Sequence, residues 1–142
     1  MRNDDWLENR FDKIMKKHFS DVEAPNSVFI KWGRRARTRL GSIRKVYPKS
    51  ILKRLAGDFE TQIIINSHFK DEKIPSYVVD ATIGHELCHY AHGFSSPLPQ
   101  ATMHPHKGGI VTREMKNRGM GNTLSLQKKW LKQNWQKYIK NN

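Results

Sequence analysis

Cysteine is almost missing from this chain. Cys88 stands alone, so no internal disulfide can form and no cysteine cluster exists to hold a structural zinc. Long apolar runs are missing too, which excludes a membrane-spanning helix. Met1 leads directly into polar and charged residues without a signal-peptide pattern, so a cytoplasmic location with no membrane partner is the expectation. Neither an internal repeat nor a compositional break divides the 142 residues, and one domain with a modest core is expected over residues 1–142. Acidic residues are scarce: 13 Asp and Glu face 26 Lys and Arg, for a net charge of +13.

The shortage of acid is local. From Ala24 to Gly57 there are ten basic residues and no acidic one; from His104 to Asn142, nine basic residues face Glu114 alone. A surface of this kind favours polyanions, most simply nucleic acid, through phosphate neutralisation. The same excess also suits lysines and arginines that only face water. Arg34, Arg35, Arg37 and Arg39 are the densest group and the first candidates for DNA contact, with the basic stretch Lys128–Lys140 second. Trp32, Trp130 and Trp135 are candidates for base stacking, although tryptophan at helical spacing is more often core.

Against this background one stretch carries chemistry. Pro75 to Gly93 reads PSYVVDATIGHELCHYAHG and contains His85-Glu86-Leu87-Cys88-His89, the HExxH pattern. On a helix, positions i and i+4 share one face, so two imidazoles can reach one metal. Glu86 stands about 100° around the helix from His85, within reach of a metal-activated water but outside the ligand set. A Ser76 N-cap region, Asp80 in the first turns and a stop at Gly93 frame that helix. Val79, Ile83, Leu87 and Tyr90 form an apolar stripe expected to face the core, away from the His85/His89 edge. Cys88 lies off the metal edge and reads as a small buried filler.

The remaining elements follow from pattern. Asp5–Phe19 reads as an amphipathic helix and Ser27–Trp32 as a strand. Gly33–Thr38 reads as a basic hairpin turn leading into a second strand over Arg39–Tyr47. Ser50–Leu55 is ambiguous between helix and loop. Phe59–Asn66, with three consecutive isoleucines, is the clearest strand and is expected to be buried on both faces. Ser67–Ile74 is a polar connection, Phe94–Thr102 a loop, and Ile110 to about Arg118 a helix broken by Gly119 and Gly121. Residues 123–142 make a basic C-terminal helix bearing Leu124, Leu126, Trp130, Leu131, Trp135 and Tyr138. The fold class is α+β.

A catalytic zinc takes three protein ligands and keeps one position open. HExxH supplies His85 and His89. His92 follows on the same helix, where one straight helix does not wrap three ligands around an ion; it is expected to border the cleft or face solvent. His104, His106 and Glu114 remain, and His106 is favoured because a glycine-bearing turn and a helix follow it. The HExxHxxGxxH pattern is excluded, since His92 and Ser95 occupy the glycine and last-histidine positions.

In this order of elements, over roughly Trp6 to Met120, the chain resembles the SprT-like (Spartan-type) metalloprotease domain, and also the small archaeal zincins called minigluzincins. The resemblance implies a zincin-like single domain: a small mixed or antiparallel sheet with a β-hairpin, packed on the HExxH helix, with helices at both termini. In SprT-like domains the third ligand is the histidine of a His-Gly-x-x-aromatic motif. Here the corresponding stretch is His106-Lys107-Gly108-Gly109-Ile110, with glycine displaced by one and isoleucine in place of the aromatic, which keeps His104 in contention. In minigluzincins a glutamate serves, and Glu114 holds that place.

The expected activity is zinc-dependent hydrolysis of a peptide or protein substrate. Zn2+ is held by His85, His89 and His106, and Glu86 acts as general base on the zinc-activated water. The strand Thr61–Asn66 is similar to the zincin strand that pairs with extended substrate. Spartan-type proteases degrade proteins crosslinked to DNA, so the resemblance also implies nucleoprotein substrates. Two other readings stand beside this one: a non-catalytic nucleic-acid-binding module, and a latent protease whose terminal segment from Thr123 lies in the cleft.

Overall fold

The computed structural model describes residues 1–101, 104, 106 and 108–142. Thr102, at the end of the expected loop, and Met103, Pro105 and Lys107, beside the two candidate histidines, lie outside the described residues.

Helix α1 (Asp4–His18) begins at Asn3, whose side chain accepts from the Trp6 amide at 2.9 Å. Acidic Asp4 and Asp5 sit at its start and Lys16, Lys17 and His18 at its end, as the helix dipole favours. Its Leu7, Phe11 and Ile14 are buried. Strands β1 (Val28–Trp32) and β2 (Gly41–Val46), the short exposed helix α2 (Ile51–Leu55) and strand β3 (Glu60–Ile65) follow. A 3₁₀ turn over Ser67–Lys70 leads to α3 (Ser76–Ala91), then α4 (Ile110–Asn117) and α5 (Gly121–Trp130). A π-helical turn, Leu131–Trp135, joins α5 to α6 (Gln136–Asn141). The expected single C-terminal helix therefore starts two residues earlier and changes its winding midway.

The result is a small α+β domain with a three-stranded mixed sheet in the order β1-β3-β2. β3 runs parallel to β1, with Ile30 opposite Ile63, and antiparallel to β2, with Ile43 also opposite Ile63. The expected hairpin is therefore wrong: β1 and β2 do not pair, because β3 lies between them. The triple isoleucine explains the choice. Ile63 and Ile65 are fully buried against the helices, and a strand with this much apolar surface takes the centre of the sheet. Residues 33–40 cross over the end of β3 instead of turning back beside β1. Gly33 N donates to Ile65 O at 2.8 Å and Asn66 N to Leu40 O at 2.9 Å.

Asn66 holds this crossover in place. Its Nδ2 donates to Ala36 O at 2.7 Å and to Arg39 O at 2.9 Å, while its Oδ1 accepts from the amides of Ala36 and His68.

Helix α3 is the axis of the core and touches α1, β2, β3, α4 and α5. Val79, Ile83, Leu87 and Tyr90 face the core as expected, but for this reason burial extends well beyond that stripe. Val78, Val79, Ala81, Thr82, Ile83, Leu87, Cys88 and Tyr90 are all buried, and together they go most of the way round the helix. Pro75 occupies the N-cap position without any side-chain cap, so Ser76 does not cap the helix. Gly93 ends it at φ +86°, and a Cβ there would lie 2.5 Å from Pro99 O. None of the helices among the described residues is long and apolar enough to cross a membrane.

Candidate metal centre

His85 and His89 stand one turn apart on α3, as the i, i+4 spacing requires, with ring centroids 4.7 Å apart and Nε2 atoms 3.0 Å apart. His106 comes from the segment before α4. Its ring centroid lies 4.9 Å from that of His89 and 6.3 Å from that of His85. One ligand atom from each of the three lies within 4.8 Å of the other two, the only such group of His, Cys, Asp or Glu among the described residues. Nitrogens on a tetrahedral zinc at about 2.0–2.1 Å stand about 3.3 Å apart, so the His85–His89 pair is already near that spacing. A set of three imidazoles is also a donor set that zinc accepts with one position left open.

The electrostatics agree with a ligand role. Burial, followed by the neighbouring His106, lowers the pKa of His85. Burial, then His85, His106 and His92, lowers that of His89 to about 4. Both imidazoles are therefore held in the neutral form that binds metal.

Glu86 is buried beside them, and burial raises its carboxyl to about 7 against the opposing pull of Arg39. A cavity of about 180 Å³ opens on this carboxylate, lined by Arg39, Gly41, Thr82, His85, Glu86 and Gln127. Gln127 reaches it from α5 and is fixed there, its Nε2 donating to Val78 O and to Thr82 Oγ1, both at 2.9 Å. Sequence reasoning missed Gly41, Thr82 and Gln127. None belongs to a motif, and only the packing of β2 and α5 on α3 brings them together.

Glu114 is taken up elsewhere: Arg118 Nε donates to its Oε1 at 2.8 Å, and its Oε2 lies 3.7 Å from His92 Nε2. His92 thus turns towards α4, away from solvent, with its side chain 12% exposed. His104 is exposed and is not in the histidine group. Cys88 is fully buried, and its thiol is pushed up to about 12, chiefly by burial. β3 cannot pair with substrate, because β1 and β2 occupy both its edges; β2 has a single sheet neighbour and is the edge strand next to α3.

The four arginines of the crossover diverge. Arg34 and Arg39 line a cavity on the sheet, Arg37 lines one beside α6, and Arg35 lines a third with His68 and Tyr138. The tryptophans are engaged inside the molecule. Trp32 stacks on Trp6 at 6.3 Å, Trp135 stacks on Tyr138 at 5.8 Å and donates to Arg37 O at 2.7 Å, and Trp130 packs against the core.

No protein-family model matches this sequence, and comparison with curated proteins and with solved structures gives no match either.

Proposed function

We propose that the chain is a zinc-dependent metallopeptidase of the zincin type, with His85, His89 and His106 as metal ligands and Glu86 as general base. The observation that carries this reading is the convergence of three imidazoles beside a buried carboxylate that opens into a cavity. A zinc ion held by these residues would supply Lewis acidity, acidifying water and polarising a carbonyl oxygen. Glu86 takes the proton from the attacking water and hands it to the leaving amine, a role suited to a carboxyl near neutrality. The outer edge of β2, beside Glu86 and touched only by Ser95 Oγ at Ile43 O among the described residues, orients an extended peptide through backbone hydrogen bonds, the part earlier given to β3.

Engagement of Glu114 by Arg118 favours the SprT-like ligand pattern over that of the minigluzincins. The α5 helix supports a structural role more than latency, since Gln127 anchors it to α3.

Zinc analysis and casein digestion test the reading together. The parent is expected to carry about one zinc per chain and to cleave, while Glu86→Gln keeps the zinc and loses turnover. A Glu86→Gln variant as active as the parent overturns the assignment.

Nucleic acid is the second reading, favoured by the cavity of about 760 Å³ that Arg37, Lys137 and Lys140 line. With Trp32 and Trp135 stacked internally, such binding rests on phosphate contacts and weakens steeply with salt.

A further inference from the structure

The chain contains two kinds of arginine. Arg2, Arg10 and Arg118 are structural. Arg2 donates to Phe69 O and Ile74 O, Arg10 pairs with Asp80, and Arg118 pairs with Asp21 and Glu114. By contrast, Lys31, Arg34, Arg39 and Arg44 have no ion-pair partner among the described residues, although Arg44 Nε donates to Gln62 Oε1 at 2.7 Å, and the four line one cavity of about 570 Å³. Ile64 and Ser42, which face each other across the β3–β2 pair, also line it, and no acidic side chain does.

Three features make this more than a solvated patch. The cavity is bounded by the crossover, whose backbone Asn66 fixes at Ala36 and Arg39, so the cations sit on a rigid frame. It adjoins the cavity at Glu86, since Arg39 and Gly41 line both. It also runs along β2, the edge strand. A peptide added to that edge alternates its side chains between the two faces of the sheet, and those on the Ser42/Arg44 face come level with the cations.

We infer that this cavity is a substrate subsite for acidic peptide segments, in which Arg39 and Arg44 select Asp or Glu at alternate positions beside the scissile bond. The inference rests on the peptidase reading and adds the substrate class. Peptide fits better than nucleic acid here because the strand edge offers backbone donors and acceptors that a peptide matches, and because Trp32, the one aromatic residue of the cavity, is stacked on Trp6.

The test uses the full chain with Glu86→Gln and fluorescein-labelled decapeptides alternating Glu-Ala or Gln-Ala, read by anisotropy at low salt. The Glu peptide is expected to bind about tenfold tighter than its Gln isostere. Arg39→Ala and Arg44→Ala should each lose about threefold, in line with exposed single ion pairs, while Lys13→Ala, an exposed α1 residue that lines neither cavity, leaves binding unchanged. Equal binding of the two peptides overturns the inference. So does an equal loss in Lys13→Ala, which marks a global charge effect, or a thymidine oligonucleotide that displaces the Glu peptide and binds more tightly.

A separate arm digests a mixed peptide library with the zinc-loaded parent. Enrichment of Asp and Glu near the cleaved bond supports the inference, and cleavage without enrichment overturns it while the peptidase reading stands. Absence of any cleavage beside intact acidic-peptide binding overturns the peptidase reading and leaves the anionic ligand class of the cavity in place.

Discussion

Gly41 and Glu86 are close neighbours: a Cβ built on Gly41 would lie 3.4 Å from Glu86 Oε1. The same Cβ would come within 2.7 Å of Thr82 Cγ2 and 3.1 Å of Ile64 O. The edge strand β2 and helix α3 meet here with no room for a side chain, and this contact places the β2 edge beside the carboxylate. Gly41→Ala is therefore expected to cost about 1–3 kcal/mol through forced displacement of β2 or α3, with valine worse. Urea denaturation of the two variants checks this, and unchanged midpoints would show that β2 has slack against the helix.

The proposed third ligand, His106, yields the next prediction. His106→Ala should drop bound zinc from about one per chain to a small fraction, because two imidazoles alone hold the ion poorly. His104→Ala and Glu114→Ala should keep their zinc. Glu114→Ala instead loses about 1 kcal/mol of stability, since Arg118 keeps Asp21 and the His18 carbonyl but gives up one partner. Zinc lost from Glu114→Ala with His106→Ala loaded would reverse the ligand assignment.

The histidine cluster was more legible in the sequence than the sheet was. HExxH is a local signal: spacing on one helix places His85, Glu86 and His89 whatever the topology does. Strand order is non-local. Alternation in Ser27–Trp32 and Arg39–Tyr47 marks two strands but not which strand lies between them, and that was settled by the larger apolar surface of Ile63–Ile65. The stripe on α3 understated the burial of that helix for a related reason. A helix covered on several sides has no single apolar face, and its small residues show this only in three dimensions. Gly84, where a Cβ would meet Met120 Sδ at 2.7 Å, is one such residue. Asn66 looked like the polar end of a strand, and its role emerged only when the crossover passed over it.

That role can be measured. Asn66 is 3% exposed and satisfies two carbonyls of the crossover, at Ala36 and Arg39. Asn66→Ala leaves both without this donor at a cost of about 2–4 kcal/mol, and it frees a loop rich in trypsin sites. Thermal unfolding and timed trypsin digestion should agree, with first cuts after Arg34, Arg35, Arg37 or Arg39. Asn66→Ala resisting trypsin as well as the parent would show that the Trp135–Arg37 bond and the sheet suffice to hold the crossover.

The buried carboxyl of Glu86 ties stability to pH in the metal-free protein. Its value rises from an ordinary 4.5 to about 7, so between those pH values the folded chain keeps a proton that the unfolded chain has released. Stability must then fall as pH rises through this window, with the full loss present above about pH 7 and none below about pH 4.5. The size is on the order of 3 kcal/mol, from about 1.4 kcal/mol for each pH unit of displacement. Glu86→Gln carries no ionisable group there, so with chelator present it should exceed the parent in stability by up to about 3 kcal/mol at pH 8 and lose that advantage by pH 4. Arg39 pulls the carboxyl the other way, so Arg39→Ala should destabilise the metal-free parent further at pH 8 but have little effect of this kind in the Glu86→Gln background. Guanidinium titrations of the four proteins at both pH values make the comparison. A parent-to-variant difference that stays flat with pH would mean that the carboxylate is already ionised in the folded state and finds its compensation elsewhere in the cavity.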